Sequence, residues 1–186
     1  MTCEGREHLA KRIKEQLPEA IINYDDFHDS GKFTSTAYYN YRRGWYIAGD
    51  EPCVQMDDDI ILTSNFKKKI ESVIAQYPDM IIQFFSMRKK DIEIGTRIEP
   101  LSGFMMQQCY YLPKGVAKQI YDFSFEFEEY TKEKSCPTDL VIADWGVKNK
   151  KKYVIYCPNL VDHMEEVSRI DKRRSSKRQS KTFKPI

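Results

Sequence analysis

Three consecutive aspartates, Asp57, Asp58 and Asp59, stand in the stretch CVQMDDDIILTSNF (Cys53 to Phe66), between two apolar runs that read as one strand. Carboxylates in a row repel one another, and burying an ionised one without a partner is costly. A hard divalent cation such as Mg²⁺ or Mn²⁺ resolves the conflict, because its usual ligands are one or two carboxylates together with substrate phosphates. In an extended run, alternate side chains share a face. The spacing therefore predicts Asp57 and Asp59 pointing together at a metal–diphosphate, with Asp58 free to hold a sugar or ribose hydroxyl. The competing reading is a solvated acidic turn that caps the following segment. The apolar flanks CVQM and IIL weigh against it, since they set the acids at the carboxyl end of a core strand, where open α/β sheets gather ligands.

Two further groups could join this chemistry. In PNLVDH, Asp162 and His163 follow Leu160 and Val161 at the end of the last apolar run. Imidazole suits Mn²⁺ or Zn²⁺ better than Mg²⁺; alone, such a residue reads as a surface histidine, and a D-x-D partner turns the reading toward a ligand. In SCPTDLVIADW, Asp139 falls in the first turn of a helix capped by Thr138. There it reads equally as a general base or as an acid complementing the helix dipole. Asp144 is a second candidate further along the same helix. Ser102–Gly103 reads either as a close approach of backbone to a ligand or as a simple tight turn.

The elements that must position these groups alternate between helix and strand. Leu9, Ile13 and Leu17 are spaced for a first helix that ends at Pro18. AIINYDD (Ala20 to Asp26) reads as a short strand, and Tyr38, Tyr41, Trp45 and Ala48 make the stripe of a helix over roughly 35–49 behind a cap at Ser35. Phe66, Ile70, Val73, Ile74 and Tyr77 predict a helix capped by Ser64 or Asn65 and ended by Pro78. MIIQFFSM, GFMMQQCYYLP and KYVIYCPNLVDH read as strands. Helical spacing follows from Val116 to about Phe127 and again after Thr138. Such alternation predicts an α/β sheet covered by helices. The first helix begins so early that a preceding strand is reduced to MTC or lies before the start.

With 186 residues, the expectation is one domain over 1–165 and a basic tail over 166–186. Apolar residues at 41% and aromatics at 13% exclude a disordered chain. A net charge of +2 does not by itself predict a nucleic-acid or membrane protein. The charge is uneven, however: seven cations (Lys172, Arg173, Arg174, Lys177, Arg178, Lys181, Lys184) face a single acid, Asp171, in the last stretch. Five widely spaced cysteines without a C-x-x-C pair predict reduced thiols and a cytoplasmic setting. No apolar run approaches the roughly 20 residues of a membrane span, and no basic-then-apolar leader is visible.

In this order, VQMDDDI, LSGFMMQQCYYLP, TDLVIADW and YCPNLVDH resemble the small GT-A glycosyltransferases of bacteriophages and bacteria, related to the family-25 lipopolysaccharide glycosyltransferases. The likeness runs from TCEGRE to KRQSKTF. It implies a Rossmann-like, mixed and mostly parallel sheet flanked by helices, a divalent metal (Mn²⁺ or Mg²⁺), and a nucleotide-diphosphate sugar donor, usually a UDP-sugar. It also implies an acceptor hydroxyl that attacks the anomeric carbon. By position, Asp59 and His163 would be the metal ligands with Asp57 assisting, and Asp58 would face the donor's ribose or sugar. Thr2 and Arg6 match the first loop that frames the nucleotide, Asp25 the place that meets base or ribose, and Asp139 the catalytic carboxylate. The early start departs from the family pattern at the nucleotide pocket's first strand.

A leaving UDP gathers negative charge that a metal and cationic side chains would stabilise. The candidates are Arg42 and Arg43, which read first as a solvated helix face, and Lys177, Arg178 and Lys181 in the tail. The tail reads as a lid over the donor diphosphate or as a disordered basic end. Acceptors consistent with the resemblance are hydroxymethylated pyrimidines in phage DNA, slightly favoured by the basic tail, and hydroxyls of polysaccharide or protein. A phage-encoded chain would act in the host cytoplasm. The rival classes are a metal-dependent phosphohydrolase or nuclease, and a nucleotide-sugar or nucleic-acid binder without transferase activity.

Overall fold

The computed structural model describes residues 1–25, 33–131, 138–164 and 178–184, without the side chains of 33–36 and 130–131. In chain order the elements are β1 (Thr2–Cys3), α1 (Glu7–Gln16), β2 (Tyr24–Asp25), α2 (Phe33–Ala48), β3 (Cys53–Met56), β4 (Ile60–Leu62) and α3 (Phe66–Gln76). There follow β5 (Ile81–Gln83), α4 (Lys90–Ile94), β6 (Arg97–Pro100), β7 (Cys109–Leu112), α5 (Val116–Thr131), α6 (Thr138–Lys148), β8 (Lys152–Ile155) and β9 (Val161–His163). This is the expected mixed α/β arrangement with helices on both faces of a sheet.

The main sheet has five strands in the order β3-β7-β5-β8-β6. β5 and β8 pair in parallel, whereas β7 is antiparallel to both β3 and β5, and β6 is antiparallel to β8. Three strands, β3, β5 and β8, therefore share one direction. Most neighbours nevertheless pair antiparallel, because β7 is inserted between β3 and β5 and β6 runs against β8. Two small ladders flank the sheet: a parallel β1–β2 pair and an antiparallel β4–β9 ribbon.

Period-2 alternation sorts the strand residues between two cores. Ile81, Tyr110, Leu112, Tyr153 and Ile155 pack on one face with α2, α5 and α6. Ile82, Cys109, Tyr111 and Val154 pack on the other with α1, α3 and the ribbon. Leu9, Ala10 and Ile13 form the buried stripe of α1, as their helical spacing predicts. Among the described residues no helix is long and apolar enough to cross a membrane.

Several expected boundaries shift. CVQM and IIL, read as one strand, are β3 and β4 in different sheets, separated by a bend at Asp58 and Asp59. KYVIYCPNLVDH likewise splits into β8 and β9 around a turn containing a cis Cys157–Pro158 bond. Among the described residues of AIINYDD only Tyr24–Asp25 pairs, and Ile21 is 76% exposed, so its hydrophobicity is not spent on a core strand. MIIQFFSM keeps three residues in its ladder. Phe84 then donates to the Cys109 carbonyl (3.0 Å) and accepts from the Leu160 N–H (3.1 Å), which turns the chain toward the ribbon. α3 begins after Asn65 in the left-handed region (φ 53°), which asparagine tolerates, with no side-chain capping bond. The short α4 and β6 had no clear signal in the sequence.

Candidate functional site

The acid cluster lies where the chain crosses from the five-stranded sheet to the ribbon. The Asp57 N–H donates to the Gln108 carbonyl (2.9 Å), extending the β3–β7 ladder by one step, after which the chain bends. The Met164 N–H donates to the Asp59 carbonyl (2.8 Å), closing the ribbon in which Ile60 is registered against His163. These two backbone bonds bring Asp59 and His163 side by side.

The bend replaces the alternation expected of an extended run. Asp58 and Asp59 turn to one guanidinium: Arg6 Nη2 lies 3.0 Å from Asp58 Oδ1 and 2.8 Å from Asp59 Oδ2. Asp57 points elsewhere and accepts a hydrogen bond from the Tyr41 phenol on α2. Burial, reinforced by the charge of Asp59, pushes the Asp57 carboxyl up to about 7, against the pull of the nearby terminal amine and of Tyr41. Burial also raises Asp58, while Arg6 and the Thr2 hydroxyl work in the opposite direction. For Arg6, burial opposes the charge, but Asp58 and Asp59 outweigh it and hold the guanidinium above its ordinary value. Asp58 Oδ2 is buried and makes no hydrogen bond among the described residues.

His163 is almost wholly buried, at 2% exposure. Its Nδ1 lies 2.6 Å from the Met164 carbonyl oxygen, and its Nε2 lies 3.1 Å from Arg178 Nη2. A carbonyl can only accept and a guanidinium can only donate, so the proton sits on Nδ1 and the lone pair on Nε2. Asp59 Oδ2 lies 3.4 Å from the same Nε2. Each of these two acceptors already meets a guanidinium, Arg178 at Nε2 and Arg6 at Oδ2 (2.8 Å), so an ion between them would have to displace both. The separation suits two ligands that each lie about 2.1 Å from a common ion, and the Nδ1–H bond to a carbonyl is the usual way of orienting a ligating imidazole. Among the described residues no group of three or more His, Cys, Asp or Glu side chains converges on one point. The chain would supply two donors, leaving the other positions to phosphate and water, as hard divalent ions accept.

Residues 178–184 lie against the same corner. The Ser180 N–H donates to Asp162 Oδ1 (2.7 Å), Asn159 Nδ2 donates to Ser180 Oγ (2.9 Å), and the Asn159 N–H donates to Thr182 Oγ1 (3.0 Å). Arg178 is thereby set over His163. Asp162 also accepts from the His163 N–H (2.9 Å), so it orders the imidazole's own backbone. Lys181 is exposed, and Lys177 lies outside the described residues.

The remaining expected residues distribute unevenly. Thr2 is buried beside Arg6, its hydroxyl donating to the Arg6 carbonyl at 3.3 Å, and Asp25 is buried at the end of β2, opposite Cys3. Asp139 stands in the first turn of α6. The preceding Thr138 accepts a hydrogen bond from the Gln107 amide, next to the Gln108 carbonyl that holds Asp57, so two short steps tie this helix end to the acid cluster. Asp144 is elsewhere, in a groove of about 430 Å³ between α5 and α6 lined by Phe123, Glu126, Val147 and Lys148. Arg42 pairs with Glu128 (2.8 Å) and covers the Phe125 ring at 4.0 Å, and Arg43 donates to Asn23 Oδ1 (2.6 Å). Ser102–Gly103 belongs to a 3₁₀ turn whose Gly103 carbonyl accepts from Arg88 (2.7 Å) and Tyr153 (3.0 Å). In the sequence Tyr41 reads only as part of an apolar stripe, and nothing there marks Gln107, Gln108 or Asn159 as supports of the site.

Compared with known proteins, the chain matches no protein-family model, no curated protein and no solved structure.

Proposed function

We propose that the chain is a divalent-metal-dependent glycosyltransferase of GT-A-like fold, moving a sugar from a nucleotide-diphosphate sugar, a UDP-hexose such as UDP-glucose, to an acceptor hydroxyl. The observation that supports the reading is the meeting of the acid cluster with an imidazole, Asp59 Oδ2 lying 3.4 Å from His163 Nε2, at a bend beyond the carboxyl end of β3. Open α/β sheets bind ligands at such ends.

In this reading Asp59 and His163 hold Mn²⁺ or Mg²⁺, with Asp57 behind them, and the bound ion supplies Lewis-acid stabilisation of the leaving diphosphate. Arg6 keeps Asp58 and Asp59 turned to one side. Oδ2 of Asp58, without a hydrogen-bond partner among the described residues, accepts a hydroxyl of ribose or sugar. Thr2 and Asp25, buried in β1 and β2, frame the nucleotide, and Arg178, with Lys177, contributes positive charge toward the diphosphate. Asp139 removes the proton from the attacking acceptor hydroxyl. The acceptor is a hydroxyl on DNA, polysaccharide or protein. The cations of the C-terminal stretch favour DNA, where hydroxymethylated pyrimidines offer such a group, in the cytoplasm of a host cell.

The test is calorimetric titration of UDP in Mn²⁺ and in EDTA, on the native chain and on Asp59→Ala and Asp139→Asn. Binding should need the metal, vanish in Asp59→Ala and survive in Asp139→Asn. The Asp139→Asn variant should lose about 10²–10⁴-fold in transfer rate with the matching sugar donor. No UDP binding under any condition would sink the reading. Release of phosphate or cut nucleic acid without sugar transfer would point to a hydrolase instead.

A further inference from the structure

We propose that the paired helices α2 and α5 are the face on which two copies of this chain associate, each α2 packing over α5 of the other copy. Within one chain the two helices run antiparallel. The Lys118 N–H at the start of α5 donates to the Gly49 carbonyl just past the end of α2 (3.1 Å), and Arg42, further back on α2, reaches Glu128. Their inner residues, among them Tyr38, Trp45, Ile120 and Phe127, fill the core. The outer stripe of α2 is Tyr39, Arg43, Tyr46 and Ile47, at helical spacing. That of α5 is Tyr121, Asp122, Phe125 and Glu129.

The exposed rings form one continuous patch across both helices. The Tyr46 and Tyr121 centroids are 5.4 Å apart and those of Tyr121 and Phe125 are 5.2 Å apart. The Arg42 guanidinium then links the Phe125 ring at 4.0 Å to the Tyr39 ring at 5.7 Å. Tyr46 is 66% exposed, Ile47 48%, Phe125 45% and Tyr39 42%. With about 150–250 Å² for a whole aromatic side chain, roughly 300–500 Å² of apolar surface lies open in this patch. An interface of standard size takes about 800 Å² from each partner, a little over half of it apolar, and is enriched in Tyr, Phe and Arg. The patch therefore matches the apolar share of one such interface.

Charge selects a second copy as the occupant. α2 carries Arg42 and Arg43 and no acid, whereas α5 carries Asp122, Glu126, Glu128 and Glu129 against Lys118 alone. The two signs lie side by side on one chain, so the face complements itself. A two-fold axis along the groove between the helices sets each cationic α2 antiparallel over the acidic α5 of the second copy, in a four-helix layer. Placing α2 on α2 would oppose like charges. Asp59 and His163 lie with the ribbon in the opposite core, so pairing leaves that corner uncovered in both copies.

Sedimentation equilibrium tests the arrangement through the sign of the charge placed at one exposed position. The native chain should dimerise at micromolar concentration, the weak end for interfaces of standard size. Tyr46→Lys loses the ring but sets a cation opposite acidic α5, and should raise the dimer Kd about 10-fold. Tyr46→Glu loses the same ring and sets an acid there, and should raise it about 10-fold further. Glu129→Lys, at the other helix, should also weaken the dimer, which keeps the test decisive if the Tyr46 variants fail to fold by circular dichroism. A native chain that stays monomeric well above micromolar concentration would overturn the proposal. So would a dimer that none of the three substitutions weakens, or one that Tyr46→Lys weakens as much as Tyr46→Glu.

Discussion

The phenol of Tyr41 donates its hydrogen bond to Oδ1 of Asp57, tying the first aspartate of the triplet to α2 while the other two turn to Arg6. A neutral donor satisfies one oxygen without neutralising the charge. The ionisation of Asp57 is therefore resisted by burial and by its acidic neighbours. The phenol is affected in turn: burial and the charge of Asp57 push it well above its ordinary value, so it remains a donor across the accessible pH range.

This gives a pH dependence with a definite sign. The Asp57 carboxyl rises from an ordinary 3.8 to about 7 in the fold, so between those values the folded state holds more protons than the unfolded one. Stability of the metal-free protein should fall as pH rises through that window. Urea unfolding in EDTA across the window should show the decline, and Asp57→Asn should flatten it. Tyr41→Phe, which removes a bond favouring the charged form, should extend the decline to higher pH. A native profile that matches Asp57→Asn throughout would show that Asp57 is not destabilised by burial.

Gly146 tests the packing that sets the direction of α6 and hence of Asp139. A Cβ at this position would fall inside the Leu101 side chain, which is itself fully buried against the helix. Gly146→Ala should cost about 1–3 kcal/mol through overpacking, despite alanine's better helix propensity. Leu101→Ala alone should cost about 2–5 kcal/mol. Combining them should cost less than the sum, because the truncated Leu101 makes room for the new methyl. Additive losses in urea unfolding would mean that the two positions do not meet.

Arg42 separates a structural cation from a functional one. Its guanidinium is spent on Glu128 at 2.8 Å and on the Phe125 ring at 4.0 Å. Arg42→Ala should destabilise the fold by about 1–3 kcal/mol, by leaving Glu128 unpaired and uncovering the ring. It should leave the affinity for UDP and Mn²⁺ unchanged in the same calorimetric assay. A weaker affinity with unaltered stability would reverse this assignment and bring Arg42 into the donor site.

The elements were legible wherever a periodic pattern ran long enough to outweigh local accidents. Leu9 and Ile13 defined α1, Phe66, Ile70 and Val73 defined α3, and the helical spacing after Thr138 gave α6. Short strands were read too long, because an apolar run such as MIIQFF marks burial and is silent on hydrogen bonding. Phe84 and Phe85 are fully buried yet lie outside the ladder of β5.

By itself the sequence determined the alternating α/β plan, the concentration of acid at Asp57–Asp59 and the value of His163 as their potential partner. These are local properties of composition and spacing. What only the tertiary structure decided is which groups meet. The bend after β3 and the register of β4 on β9 bring Asp59 to His163, and Arg6 arrives from the start of α1. Arg178 reaches the same atom because Asn159 and Asp162 hold the chain end. Such meetings depend on backbone bonds between distant segments, and periodicity along one segment carries no information about its partner.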